Sequence, residues 1–480
     1  MFPWSSSIYA GRTIRRIPSS LVRISWRFST LVNRRGYAEQ CRPPTVHSPT
    51  RRAVFHAIYC RRRRVRKGRL GPVWSIGTSH ETNGGSGLCT FLVLVDRGTD
   101  HHLGSDPEIT HRRLRQKKMK LGYFTMPLHP PGSVHAETLD HDLDQIVTLD
   151  RLGFREAWVG EHFTSVWENI PAPDLFLAKA LGMTENIVLG TGVTCMPNHN
   201  PFVIANRIAQ LDNLARGRFY WGVGSGGFPG DFEVFGFDFQ SGENRNMTRD
   251  ALDCVLGLWE DPKPGRYTSP WWDFSIPETD DWVGVKYHMA PYQKPHPPIG
   301  VAGVSPKSET LYLAGERGYI PMSINLVPSN QLPSHWEAVE EGALRTGRKA
   351  ERSQWRIARE VFVADTTEEA REKAMAGTMP RDFQDYFFRS FARYNLFKLM
   401  KKDPSMADED ITIDYFLDNI WLVGSPDDVA AQLRELYEYV GGFGVLLAMG
   451  HEWDPREDWQ RSMELLANEV MPQLADLDPH

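Results

Sequence analysis

From Met119 onward, short apolar runs of strand character alternate with amphipathic helical stretches, and this alternation restricts the fold more than any other feature of the chain. Strand-like segments are read at Lys120–Met126, Glu156–Phe163, Ile187–Met196, Arg218–Gly224, Ile299–Gly303, Tyr319–Asn325, Trp355–Val363 and Gly444–Met449. Helical segments fall between them: 138–152, 174–183, 202–214, 244–259, 308–315, 332–346, a region from 367 to 399, then 426–440 and 459–474. Strands separated by helices predict a parallel sheet with helical crossovers. About eight such units in roughly 360 residues fit a closed (β/α)8 TIM barrel with insertions better than an open doubly wound sheet. An open sheet would carry a GxGxxG turn after its first strand, whereas this strand runs into Met126-Pro127-Leu128-His129-Pro130-Pro131. Residues 262–298, rich in Pro, Trp and Tyr and without period, are read as an insertion over one face of the fold.

Charge divides the chain at the same point. The formal net charge is −5, yet residues 1–118 hold about 23 Lys and Arg against about 6 Asp and Glu, and the remainder is correspondingly acidic. Residues 1–118 are therefore expected to be a basic, low-order extension preceding a domain of residues 119–480. Arg- and Ser-rich residues 1–38 have the composition of a targeting segment. The run Arg61 to Arg64 has the charge of a phosphate-binding patch. Met119 would also serve as an initiator, leaving the extension without a folded role, and neither nucleic acid nor membrane is expected as a partner. No apolar run is long enough to span a bilayer. Five cysteines without a CxxC pair argue against a disulfide framework or a zinc site, and fit a reducing, cytoplasmic setting.

In such a barrel the chemistry belongs at the carboxyl ends of the strands. That rule nominates Met126, Glu161-His162, Thr194-Cys195, Gly224-Ser225-Gly226, Gly303 to Ser305, Asn325 and Gly450-His451. His162, beside Glu161, is the leading catalytic candidate, as an imidazole that exchanges a proton near neutral pH. A structural histidine hydrogen-bonded in a loop fits the same residues. Gly224-Ser225-Gly226 offers backbone N–H groups to an anion, but lacks the Lys-Ser/Thr ending of a P-loop. Gly303-Val304-Ser305-Pro306-Lys307-Ser308 ends a strand and opens a helix, which suits either a phosphate at the helix N-terminus or an ordinary Ser cap followed by Pro. No HxxxH, HExxH or carboxylate cluster points to a metal, and His199, His288 and His451 read as structural.

Residues 119–475 resemble the bacterial-luciferase-like flavin-dependent monooxygenases. The resemblance rests on Met119-Lys120-Leu121-Gly122-Tyr123-Phe124, on Ala157 through Thr164, on Gly190-Thr191-Gly192-Val193, and on Leu211 through Phe219 leading into Gly222-Val223-Gly224-Ser225-Gly226. Asp231 through Gly236 and Ala314 through Gly318 follow in the family's order. The resemblance implies a TIM barrel that takes reduced FMN from a separate flavin reductase. Oxygen then adds at the flavin C4a position, and the (hydro)peroxide oxygenates a small apolar organic substrate. It implies His162 as the catalytic histidine. Gly192 and Val193 would lie against the isoalloxazine, at a turn that in this family can hold a non-prolyl cis peptide. Ser225, Gly226, Ser305 and Ser308 would hold the phosphate, with Gly303 and Val304 lining its approach. A homodimer is also implied.

Three departures separate this chain from the luciferases proper. Phe163 stands where they have a second His, Ser225 where they have an Arg, and Val304 where they have a Glu. These place it nearer the limonene 1,2-monooxygenase-like members. Trp271, Trp272, Trp282 and Tyr287 would suit a lid over an apolar substrate, a packing layer or a dimer contact. Two rivals share the barrel: a coenzyme F420-dependent dehydrogenase or reductase, which would need a more basic site than Lys307 supplies, and a flavin-binding protein without turnover.

Overall fold

The computed structural model describes residues 118–238 and 241–479, and also the backbone of two upstream strands, Trp74–Thr82 and Gly85–Val93. Eight parallel strands form the barrel: β1 (Lys120–Thr125), β2 (Glu156–Val159), β3 (Val188–Thr191), β4 (Phe219–Gly224), β5 (Ile299–Gly303), β6 (Ile320–Ser323), β7 (Arg356–Arg359) and β8 (Val445–Gly450). Each pairs with its neighbours in sequence order. β8 pairs with β1, and Ile299 and Gly300 of β5 pair with Trp221 and Gly222 of β4, so the sheet closes. The expected (β/α)8 barrel is the observed fold. Closure leaves no sheet edge exposed.

One helix follows each strand: α1 (His135–Leu152), α2 (Pro173–Leu181), α3 (Pro201–Ala215), α4 (Glu243–Glu260), α5 (Glu309–Arg317), α6 (Leu332–Arg345), α7 (Pro426–Val440) and α8 (Arg456–Leu465). Their starts follow capping chemistry. The Asn200 carboxamide accepts from Phe202 N at 2.9 Å, with Pro201 at the first helical position of α3. Ser425 caps α7 in the same way, ahead of Pro426. Among the described residues no helix is long and apolar enough to cross a membrane.

Alternation along the strands divides the core in two. Trp158, Ile320, Met322, Ala358, Val445, Leu447 and Met449 fill the lumen. The opposite faces pack against the helices, with Leu143, Ile146 and Leu149 of α1 fully buried. Within the lumen Arg356 makes a two-pronged ion pair with Glu156, both contacts 3.0 Å, and Trp158 Nε1 donates to the same carboxylate at 2.9 Å. The barrel floor is thus closed by a buried pair whose charges compensate each other.

Three sequence expectations are corrected. The third strand stops at Thr191 and resumes only as Thr194–Cys195, and the Gly192–Val193 peptide between the two pieces is cis. The seventh is two pieces: β7 ends at Arg359, and Val361–Val363 pairs with Leu422–Gly424 instead. The insertion is not aperiodic. Gly265–Thr268 and Asp273–Ile276 form an antiparallel hairpin, and its rings pack outward of the barrel on α3: Phe274 and Tyr287 lie 5.5 and 5.7 Å from Phe202. Trp271 reaches Glu243 at the start of α4, and Trp282 is 93% exposed. The insertion leaves the end of α4 and runs back along the helices to the starts of α3 and α4.

Upstream, Trp74–Thr82 and Gly85–Val93 pair as an antiparallel hairpin, which the expectation of a low-order extension did not include. The signal was present as Asn83-Gly84, a dipeptide suited to a two-residue hairpin turn. The arginine-rich and targeting-like runs lie outside the described residues.

Candidate active site

Gly160 follows β2, and a Cβ there would stand 2.3 Å from Met126 Sδ, so only glycine lets the loop turn under the end of β1. Glu161 and His162 come next and diverge. Glu161 turns to His199, whose Nε2 lies 2.8 Å from its Oε1. His162 turns the other way, with Nδ1 3.1 Å from Asp231 Oδ2 and Nε2 3.0 Å from Glu168 Oε2. The expectation that Glu161 tunes His162 is therefore corrected, since consecutive side chains leaving a strand face opposite ways. His199 is no lone histidine.

The His162 loop is held by one carboxylate. Asp231 sits in the first turn of the short helix Pro229–Phe235. Its Oδ1 accepts from Phe163 N at 3.1 Å, Thr164 N at 2.8 Å and Thr164 Oγ1 at 2.6 Å, leaving Oδ2 for His162. Phe228 packs edge-on against the imidazole at 5.3 Å. Burial opposes charge on His162, but Glu168 and Asp231 outweigh it and push the imidazole up to about 10. It is an imidazolium at neutral pH, so it can donate or hold a proton there but cannot accept one. The contact to Glu168 is an ion pair without hydrogen-bond alignment. Nothing adjacent in sequence announced Asp231 or Glu168. The available hint was an acid two residues after Pro229, at a helix start.

Gly192 and Val193 stand at the end of β3. Thr191 Oγ1 braces this turn against β4, donating to Gly222 O at 3.0 Å and accepting from Gly222 N at 3.0 Å. A Cβ on Gly192 would meet Phe124 and Trp158 at 3.0 Å, and one on Gly224 would meet Val193 Cγ2 at 2.4 Å. The turn therefore lies flat between β1, β2 and β4.

Because β4 and β5 are neighbours, the two Gly/Ser turns meet at one side of the mouth. Gly226 is in the left-handed region at φ 74°. The side chain of Asn244 in α4 holds the Ser225 carbonyl at 3.1 Å, which engages the backbone acceptor of this turn. Ser308 is the N-cap of α5 and is buried, but its hydroxyl accepts no cap bond. Pro306 precedes the cap and does not occupy the first helical position, so the ordinary Ser-Pro cap is not what forms. Gly303 is required here, since a Cβ would approach Ser308 Oγ to 2.8 Å. Ser305 and Lys307 are exposed. The one acid at the helix start, Glu309, is 3.1 Å from Arg249 of α4, a cation the sequence reading did not place here. Hydroxyls, unengaged helix N–H groups and neutralised acid form a donor set that fits a phosphate monoester.

Beside His162 lies a cavity of about 310 Å³, lined by Thr164, Trp167, Phe228, Tyr386, Arg389 and Arg393 among others. Trp167 and Tyr386 stack at 5.8 Å, and Ser165 Oγ donates to Tyr386 Oη at 3.1 Å. Tyr386 belongs to the helical excursion between β7 and α7, which thereby walls the mouth above β2. Cys195 and Cys254 are free and buried.

The sequence profile of the luciferase-like monooxygenases matches residues 119–442. The 3,6-diketocamphane 1,6-monooxygenase of Pseudomonas putida is 30% identical over 373 residues, 74% of this chain and 98% of that protein. Limonene 1,2-monooxygenase of Rhodococcus erythropolis is 31% identical over 373 residues, 75% of this chain and 88% of that one. The solved oxygenating constituent of 3,6-diketocamphane monooxygenase from Pseudomonas putida, a type II Baeyer-Villiger monooxygenase in complex with FMN, superposes with a TM-score of 0.69 at 30% identity, covering 74% of this chain and 98% of that structure. With a family profile matching residues 119–442 and relatives aligned over most of their length, this chain belongs to the luciferase-like monooxygenases.

Proposed function

We propose that this chain is the oxygenase component of a two-component system, using reduced FMN and O2 to oxygenate a small, largely apolar organic molecule. The observation that carries the reading is the pair of neighbouring turns after β4 and β5, whose free groups are donors and whose only acid is already paired with Arg249. When bound, reduced FMN supplies the electrons that activate O2 for transfer of one oxygen atom. The chain's own residues do the rest. Ser225, Gly226, Ser305 and Ser308 hold the phosphate, with Gly303 and Val304 beneath it, and Gly192–Val193 offers a flat rest for the ring. His162, kept cationic by Asp231 and Glu168, holds a releasable proton on Nε2, whose contact with Glu168 is not aligned as a hydrogen bond. The aromatic wall of Trp167, Phe228 and Tyr386 admits an apolar substrate and excludes water.

A separate flavin reductase supplies the cofactor; the diketocamphane relative is itself described as an oxygenating constituent. The homodimer reading has support in the helices. Val203 and Leu214, eleven residues apart on one face of α3, and Leu175 of α2 are each at least half exposed, a surface that a second copy would cover. FMN is favoured over F420 because Lys307 and Arg249 are the cations at the phosphate turns, too few for a longer anionic tail. The test compares FMN with riboflavin. Ser225→Ala with Ser308→Ala should weaken FMN binding on the order of tenfold or more, about 1.4 kcal/mol per factor of ten, and leave riboflavin binding unchanged. Equal weakening of both would remove the phosphate from these turns.

A further inference from the structure

On the side of the mouth away from the phosphate turns, three polar side chains come from the ends of three consecutive strands: Asn325 after β6, Glu360 after β7 and His451 after β8. Glu360 follows the lumen-facing Ala358 by two residues, and His451 follows the lumen-facing Met449 by two. Glu360 is 1% exposed and His451 3%. Asn325 Nδ2 donates to Glu360 Oε1, and His451 Nδ1 lies 2.8 Å from Asp382 Oδ2. The second polar atom of each, Glu360 Oε2 and His451 Nε2, has no hydrogen-bond partner. Leaving such an atom buried and unpaired costs about 1–3 kcal/mol. Two of them, just past the ends of the paired strands β7 and β8, make a built site rather than a packing accident.

The scaffolding around the pair is extensive. Asp382 is also gripped by Arg381 at 2.7 Å, and Arg381 in turn holds Glu452 at 2.7 Å. Glu452 contacts the buried His129, whose other nitrogen is 3.0 Å from Asp142. Gln145 of α1 donates to the His451 carbonyl at 3.1 Å. His451 is thereby fixed in place and stacks on Trp459 at 5.5 Å. Facing the carboxylate of Asp382, Nδ1 is the nitrogen that donates, which leaves Nε2 as the acceptor of that tautomer. Burial raises the Glu360 carboxyl, which favours its protonated, donating form. One acceptor and one donor side by side match a group that both donates and accepts.

Building on the oxygenase reading, we propose that Glu360 and His451 form a specificity site for a hydroxyl group on the substrate. The hydroxyl oxygen accepts from Glu360 while its proton goes to His451 Nε2. A carbonyl could satisfy only Glu360, and a hydrocarbon neither. The substrate is then an apolar skeleton bearing an alcohol remote from the reacting carbon, and these are positioning residues, not participants in oxygen transfer.

The test uses three probes of one skeleton, borneol, camphor and bornane, titrated into the full chain by calorimetry with and without bound FMN. Borneol should bind at least tenfold tighter than bornane, with camphor between them. Glu360→Leu and His451→Phe should each bring borneol to the bornane level and leave the FMN dissociation constant unchanged. Equal binding of borneol and bornane, no binding of borneol, or camphor binding as tightly as borneol would overturn the assignment. So would a tenfold loss of FMN affinity in Glu360→Leu, which would give the site to the cofactor. The wild-type comparison stands even where a variant misfolds, as thermal melts will reveal. A borneol preference in a chain that binds no FMN would sink the oxygenase reading alone.

Discussion

His162 was legible as a residue, but its chemistry was not. A histidine at a strand end named itself, whereas the two groups that set its charge come from 6 and 69 positions along the chain. The neighbour that looked like its partner, Glu161, serves His199. The consequence can be measured. With its folded value raised to about 10 from an ordinary 6.5, the His162 proton stabilises the fold fully below about pH 6.5. That contribution falls as pH rises and is gone above about 10. His129, raised to about 9 between Asp142 and Glu452, acts in the same direction. The melting temperature of the wild type should therefore decline more steeply between pH 7 and 10 than that of His162→Gln. Product formation should fall over the same limb in the wild type, and be low and flat in the variant. A wild-type profile that rises through this range would mean that neutral His162 is the active form. Glu360 and His451 repeat the lesson. His451 read as a structural histidine at a strand end and Glu360 lay unremarked inside the run Trp355–Val363, and only the closed barrel brings their strand ends together.

At the level of elements, the alternation of period-2 and period-3.6 patterns placed all eight strands and their helices. It failed where tertiary contacts cut a strand short. β3 reads as one apolar run, yet stops because Gly192 and Val193 turn flat against β1 and β4. β7 divides because Val361–Val363 finds its partner in Leu422–Gly424. Of the three readings open for the insertion's rings, a lid, a packing layer or a dimer contact, packing is seen for Phe274 and Tyr287, which lie on Phe202. Close backbone approach between β3 and β4 makes one glycine decisive. A Cβ on Gly222 would lie 1.9 Å from Thr191 O, a backbone atom that cannot yield. Gly222→Ala should cost at least about 3 kcal/mol by urea denaturation, at the upper end of overpacking effects. Gly227→Ala, with nothing near its Cβ, is the matched control. Equal stability of the two would show that β3 and β4 are not held this closely.

For the whole molecule, the change of charge near Met119 and the onset of the strand–helix pattern coincide, and the family profile also begins at residue 119. Contacts within the barrel secure that boundary: Met119 N donates to Leu477 O at 3.3 Å and Lys120 N to Gly444 O at 2.9 Å, so the first strand is tied to the last. Residues 119–480 alone are expected to fold, bind FMN as the full chain does, and elute as a dimer through the exposed α2–α3 face. An insoluble or monomeric product in light scattering would contradict this. The central claim concerns the cofactor, and an anaerobic titration tests it most directly, with reduced FMN and reduced F420 added in parallel to the full chain and binding followed by calorimetry. The account predicts saturable, one-per-chain binding of reduced FMN, weakened on the order of tenfold or more by Ser225→Ala with Ser308→Ala, and binding of F420 weaker by at least about tenfold. Tighter binding of F420, or no binding of reduced FMN, would contradict it.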